Sequence, residues 1–247
     1  MQSQSTEAIV LRCRDFQEAD RLVTFFSRDL GKVTGFAKVA KKSKKRFGPV
    51  LEPAAILTLR FTERPGSSLV FLEQASLQQG LPFLFKNLKK MAMAWYFLEL
   101  VELMTAERDP SPAKFDLLLG SLAGLENDSF LSEQISFFEY HLLRITGMEP
   151  EISSCMRCRR AFQTEENAYA LFYQGGVVCH SCLKEGESFE LTDKDSLKRL
   201  QAISRFEEKG EVVPSVRKLL FGFLEAHLIR SPKTISFLRR WPDLMPL

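Results

Sequence analysis

Cys155-Met-Arg-Cys158 and Cys179-His-Ser-Cys182 each set two thiols with two residues between them, so a tight turn in either half can aim both sulfurs at one ion. Twenty residues separate the halves, enough for a small hairpin that returns the second pair to the first. Four thiolates around one centre is the tetrahedral arrangement that Zn²⁺ favours in closed structural sites. Gly175-Gly176 precedes the second pair, where the backbone must fold tightly and a Cβ would intrude. Four thiol ligands leave no open position for water, so Cys155, Cys158, Cys179 and Cys182 are expected to hold Zn²⁺ in a structural role. The same ligands also suit iron. Two disulfides would need an oxidising compartment, and the polar opening Gln2-Ser-Gln-Ser-Thr-Glu carries no export signal. A redox motif would use one pair and leave the other unexplained. His180 interrupts the second pair and is expected to be exposed rather than a ligand.

Outward from this motif, the two flanks differ in kind. Before residue 80, Thr6–Cys13, Arg21–Ser27, Lys32–Val39, Ile56–Thr62 and Ser68–Ser76 read as five short strands separated by turn signals at Asp15–Asp20, Gly31 and Pro65-Gly66. That size and rhythm suit a small closed β-barrel such as an OB-fold, though periodicity alone does not separate it from an SH3-like barrel. After residue 80 the pattern turns helical. Leu88–Glu107 is dense in Leu, Met, Ala and aromatics; Ala113–Leu125 and Phe130–Thr146 follow, the last stopped by Gly147. Thr192 with Asp195 three residues on resembles a capping box, and Ser215–Arg230 has helical apolar spacing. The expected architecture is therefore α+β, with a barrel over 1–80 and a helical domain over 81–247. The metal motif is an insertion over 153–190, and the late helices are expected to pack on the first three.

The chain has 247 residues, 45% hydrophobic and 26% charged, as expected of a globular protein with a sizeable core. Its longest apolar run, Met91–Leu98, stops at Glu99, short of the roughly 20 residues a membrane span needs. No membrane partner is expected, and the expected location is the cytoplasm. The net charge of +3 is modest, but its distribution is uneven. From Lys32 to Arg46 the ionisable residues are all basic: Lys32, Lys38, Lys41, Lys42, Lys44, Lys45 and Arg46. Such local asymmetry is the footprint of a polyanion binder. Lys38, Lys41, Lys42, Lys44, Lys45 and Arg46, flanked by Arg12, Arg14 and Arg21, are the candidate DNA contacts; a merely solvated loop is the plainer reading. Phe36 and Phe47 offer rings to unpaired bases, although barrel burial is the commoner fate of such residues. No Gly-rich phosphate loop and no carboxylate cluster suggests catalysis, and His141, His180 and His227 are scattered. The chain is expected not to be an enzyme. Cys13 reads as a small buried residue.

Several stretches together resemble the bacterial RecO family of recombination mediators along nearly the whole chain. They are Glu7-Ala-Ile-Val-Leu, Glu18-Ala-Asp-Arg-Leu-Val, Gly31-Lys-Val, the basic loop into Arg46-Phe-Gly, and Leu51-Glu-Pro. Phe138-Glu-Tyr-His-Leu-Leu, the two thiol pairs with Gly175-Gly176, and Leu224-Glu-Ala-His-Leu complete the set. Order and spacing, not any single match, make the resemblance specific. One departure is Val39, which stands after Ala37-Lys38 where the family commonly has Gly, and it bears on loop conformation more than on charge. The resemblance implies an N-terminal OB-fold, a helical domain and a zinc motif within the helical part. It also implies binding of single- and double-stranded DNA, annealing of complementary strands, and association with the nucleoid. Its implied partners are RecR, often RecF, the C-terminal tail of the single-strand-binding protein, and RecA, which the family helps to load on coated strands. That acidic, apolar-ended tail would need a hydrophobic pocket with a basic rim, for which Lys89, Lys90, Arg217 and Lys218 are candidates. Two other classes compete: a zinc-stabilised scaffold binding RNA or protein without annealing, and an enzyme using the thiols.

Overall fold

The structure, a computed structural model, describes residues 2–43, 45–48, 50–81, 84, 86–125, 131–162, 166–205, 207 and 214–239. The strands β1 (Ser3–Phe16), β2 (Asp20–Ser27), β3 (Gly31–Ala37), β4 (Ile56–Glu63) and β5 (Val70–Gln79) close into a barrel of order β1-β2-β3-β5-β4. Closure depends on the length of β1. Its first half pairs with β4 (Ser3 opposite Thr62, Ile9 opposite Ile56) and its second half with β2 (Cys13 opposite Val23, Phe16 opposite Asp20). A register shift between Val10 and Arg12 bends the strand where it changes partner. On the other side β3 and β5 pair in parallel, Gly35 opposite Val70 and Phe36 opposite Phe71. This is OB-fold topology.

Alternation along each strand sorts the side chains. Val23 and Phe25 from β2, Val33 and Ala37 from β3, and Val70 and Leu72 from β5 fill the interior. A Cβ on Gly35 would stand 2.7 Å from the Leu72 side chain, so the interior there has room for glycine alone. The loop after β3 is drawn over the barrel: Lys41 N–H donates to the Ala19 carbonyl, Ala75 N–H donates to the Arg46 carbonyl, and Ala40, Phe47 and Leu51 join the core.

By its contacts the chain separates into Met1–Glu126 and Asn127–Leu247. The change from strands to helices near residue 80 is therefore not where the contacts divide. Helices α1 (Leu88–Leu103) and α2 (Pro112–Gly124) belong with the barrel rather than with the late helices. Their anchors are specific. Arg12 meets Glu102 at 2.9 Å, Lys32 Nζ donates to the Glu102 carbonyl, and the Phe26 and Phe115 rings lie 6.2 Å apart. Asn87 and Ser111 cap the two helices through their side chains.

The second unit holds α3 (Leu131–Ile145), α4 (Lys194–Ser204), α5 (Pro214–Glu225) and α6 (Lys233–Leu238). Phe130, the expected first residue of α3, lies outside the described residues. The late helices α4 and α5 do pack on α3, as expected for that one of the three. Fully buried Arg217 of α5 lies bidentate on fully buried Glu139 of α3, Nη2 to Oε1 at 2.9 Å. The cap of α4 is Asp193, accepting from Ser196 N–H at 2.9 Å, and not Thr192, which ends a strand. Between α3 and α4, β6 (Ala168–Leu171), β7 (Gly176–Val178) and β8 (Glu190–Thr192) form a small antiparallel sheet of order β7-β6-β8. Among the described residues no helix is long and apolar enough to cross a membrane.

Candidate nucleic-acid interface and metal centre

On the barrel, the structure divides the sequence-derived cations into two groups. Lys38, Lys42 and Lys45 in the loop and Arg14 on β1 are exposed, with no side-chain partner among the described residues. The others are engaged. Arg12 pairs with Glu102; Arg21 sits 3.0 Å from Glu52 and 3.4 Å from Asp15; Lys41 lies 2.7 Å from Asp15. Arg46 donates to the Lys38 carbonyl at 2.7 Å and to Ser43 Oγ at 3.0 Å, with its guanidinium over the Phe47 ring. It braces the loop from within. Lys44 lies outside the described residues. Exposed ion pairs are worth about 0–1 kcal/mol, so Lys41 can exchange Asp15 for a phosphate cheaply, whereas Arg21 and Arg46 have structural bonds to lose.

The loop's conformation follows from Asp20, whose buried carboxylate accepts from Val39 N–H at 2.7 Å. That bond helps hold Val39 at φ 56, a left-handed conformation that β-branched residues rarely adopt.

Phe47 is fully buried in the barrel, but Phe36 is not. It stands on the outer face between Phe16 and Phe71, with ring centroids 6.0 and 5.9 Å away. Arg64, in the β4–β5 loop, lies 3.9 Å above the Phe71 ring. In the sequence Arg64 is marked only by its place beside the Pro65-Gly66 turn.

The thiol hairpin is assembled by backbone pairing. Val177 N–H donates to the Glu151 carbonyl and Met156 N–H to the Val177 carbonyl, laying the first knuckle against β7. Gly175 turns the chain at φ 73, and a Cβ on Gly176 would meet the Glu151 carbonyl at 3.0 Å. The second knuckle is held by Arg157, which binds the Cys182 carbonyl and forms a bidentate pair with Glu187. That pairing holds the Glu187 carboxyl down at about 2.

Together these bring Cys155, Cys158, Cys179 and Cys182 within 4.8 Å of one another, with Cys158 and Cys179 Sγ at 3.9 Å. A tetrahedron with metal–sulfur bonds of about 2.3 Å has sulfurs about 3.8 Å apart, so the cluster could hold a metal ion. The thiols' acidities agree. Burial raises Cys155, but N–H groups of Cys158, Cys179 and Arg157 aimed at its sulfur outweigh that and hold it at about 6. Cys182, hydrogen-bonded to the Cys179 and Cys158 sulfurs, is pushed up to about 12. Four thiols this close cannot all ionise without a cation among them. His180 is exposed and outside the cluster, and partly buried Cys13 stands apart against the barrel core.

Of the rim candidates for an acidic tail, Arg217 and Lys90 are buried, which corrects the expectation for both, and Lys218 pairs with Glu190. Lys89 is exposed.

A closed OB barrel bearing a basic loop, followed by a helical part into which a four-thiol hairpin is inserted, defines a class of nucleic-acid-binding architecture. The comparisons narrow it. Residues 1–81 match the family model described as Recombination protein O N terminal, and residues 86–234 match Recombination protein O C terminal. A DNA repair protein RecO of Syntrophotalea carbinolica is 33% identical, over 96% of this chain and 95% of that protein. One of Geobacter metallireducens is 34% identical over 97% of this chain and 98% of that protein, and one of Anaeromyxobacter sp. is 34% identical over 93% of each. The chain belongs to the RecO family.

Proposed function

We propose that this protein is a recombination mediator that binds single- and double-stranded DNA and anneals complementary strands. With RecR, and with RecF where it is used, it helps load RecA onto strands coated by the single-strand-binding protein. Family membership carries the coarser part, a role in DNA repair and recombination. The observation that carries the finer part is the set of unpartnered cations, Lys38, Lys42, Lys45 and Arg14, on one OB barrel. Annealing asks a protein to neutralise two backbones while leaving base edges free to pair, and no catalytic residue is needed for it. The thiol cluster is assigned Zn²⁺, because four cysteines closed around one centre suit a structural zinc. The ion would pin the hairpin between α3 and α4. This protein would act at the nucleoid. The test is annealing of two complementary fluorescent oligonucleotides by wild type and by the Lys38→Ala, Lys42→Ala, Lys45→Ala variant. Wild type should anneal and the folded variant should lose most of the rate. Failure of wild type to bind or anneal at low salt would favour a scaffold role instead.

A further inference from the structure

The outer face of the barrel is only partly covered. At one end of β2 and β3, α1 and α2 lie on it, Phe115 of α2 against Phe26 and Glu102 of α1 against Lys32 and Arg12. At the other end the same face continues as a cross-strand row. Arg14 stands opposite Leu22, Leu22 opposite Phe36, and Phe36 opposite Phe71. Directly opposed residues share a face, and the interior positions Val23, Ala37, Val70 and Leu72 lie between them, so this row points outward. Phe16, 41% exposed at the β1–β2 turn, extends the row beside Phe36.

Three rings in edge-to-face contact, Phe16 exposed and Phe36 and Phe71 half-buried, are an unusual use of apolar area at a surface. They are flanked by cations: Arg14 in the row, Lys38 two residues beyond Phe36, and Arg64 on Phe71. Rings interleaved with positive charge suit a partner with flat faces and a negative backbone. A duplex hides its base faces within its own stack, whereas an unpaired strand presents them. The β1–β2 and β4–β5 loops that border the row are those through which OB-folds take oligonucleotides.

We propose that Phe16, Phe36 and Phe71 form a base-stacking site for an unpaired strand, with Arg14, Lys38 and Arg64 on its phosphates. This rests on the DNA-binding reading above and adds discrimination to it. The lysine loop serves single and double strands alike, while the aromatic row serves unpaired bases. Stacking on the bases' π-faces would hold a strand without regard to its sequence.

The test compares wild type with the Phe16→Leu, Phe36→Leu variant, measuring binding to a labelled thymidine oligonucleotide and to a blunt duplex of equal length by anisotropy. Leucine keeps apolar packing and removes the ring. Affinity for the single strand should fall by about 5-fold or more, the low end of what one lost base stack costs. Duplex affinity and the salt slope should stay unchanged. A second measurement leaves the protein intact: an abasic strand of the same length and charge should bind wild type more weakly by a similar factor. Equal affinity of wild type for abasic and thymidine strands would overturn the proposal. So would a folded variant that binds the single strand as wild type does, or one that loses single strand and duplex alike. In each case wild-type DNA binding would stand. Wild type that binds neither nucleic acid would instead remove the reading on which the site depends.

Discussion

Lys38, Lys42 and Lys45 are exposed and without partners among the described residues, so each can meet a phosphate without breaking an existing bond. Replacing all three by alanine removes three counterion-releasing contacts. On a single strand each contributes about 0.7 to the slope of log affinity against log salt, so the slope should become shallower by about 2. Between 50 and 200 mM salt the advantage of wild type over the variant should then narrow by about 20-fold. Arg21→Gln supplies the control. Its guanidinium is held by Glu52 at 3.0 Å and Asp15 at 3.4 Å, so its loss should leave the slope within about half a unit of wild type. The assay is anisotropy titration of a fluorescent oligonucleotide at four or more salt concentrations, with thermal unfolding to confirm that every variant is folded. A triple variant with the wild-type slope, or an Arg21→Gln slope change as large as that of the triple variant, would refute the division of cations into free and engaged.

Four other outcomes are expected. The purified chain should carry one zinc, and strong chelation should erase hydrogen-exchange protection at Tyr169 and Val177 in the hairpin; a metal-free chain with full protection there would contradict the assignment. Gly31 sits at φ 70 with Asp109 backbone atoms 2.3 Å from where a Cβ would be, so Gly31→Ala should cost about 2–5 kcal/mol in urea denaturation, and a loss below about 1 would be fatal to that account. Val39→Gly should relieve left-handed strain of about 1–2 kcal/mol against a glycine entropy cost of about 0.5–1, a net gain in melting temperature; a drop would mean the side chain's packing outweighs its strain. Burial holds the His141 imidazole below its ordinary value of about 6.5, so the folded state resists the proton that the unfolded state takes up. Stability present above that value should decline as pH falls through it towards the folded value. The decline between pH 7.5 and 5.5 should be smaller in His141→Gln, and an equal decline would exclude His141 as its source.

What was legible in the sequence was what depends on near neighbours. The barrel strands show as alternation because one face of each meets the core, as in Val33, Gly35 and Ala37 against Lys32, Thr34 and Phe36. The thiol cluster shows because each pair's spacing is complete within four residues. What failed were properties decided by distant partners. Arg217 looks like a surface cation until Glu139, 78 residues away, is brought beneath it. Nothing local in the sequence shows that Glu102 and Glu52 lie beside Arg12 and Arg21. β7 and β8 have three residues each, too short for a period to appear. Thr192 and Asp193 are neighbouring cap candidates, and the choice between them turns on where β8 ends. Phe36 and Phe47 each have a glycine beside them and a basic residue within two positions; only the direction of β3 and the path of the loop put one outside and one in.

The divided loyalty of β1 also sets a timetable. On the ribosome β1, β2 and β3 can pair as soon as they emerge, but the first half of β1 waits for β4 and the free side of β3 waits for β5. The roughly fifty residues between the end of β2 and the end of β5 take a few seconds to make at about 5–20 residues per second. For that interval the nascent chain carries two open strand edges, each able to pair with a neighbouring chain. Slow translation across residues 56–79 would lengthen that exposure, and crowded synthesis would turn it into aggregation.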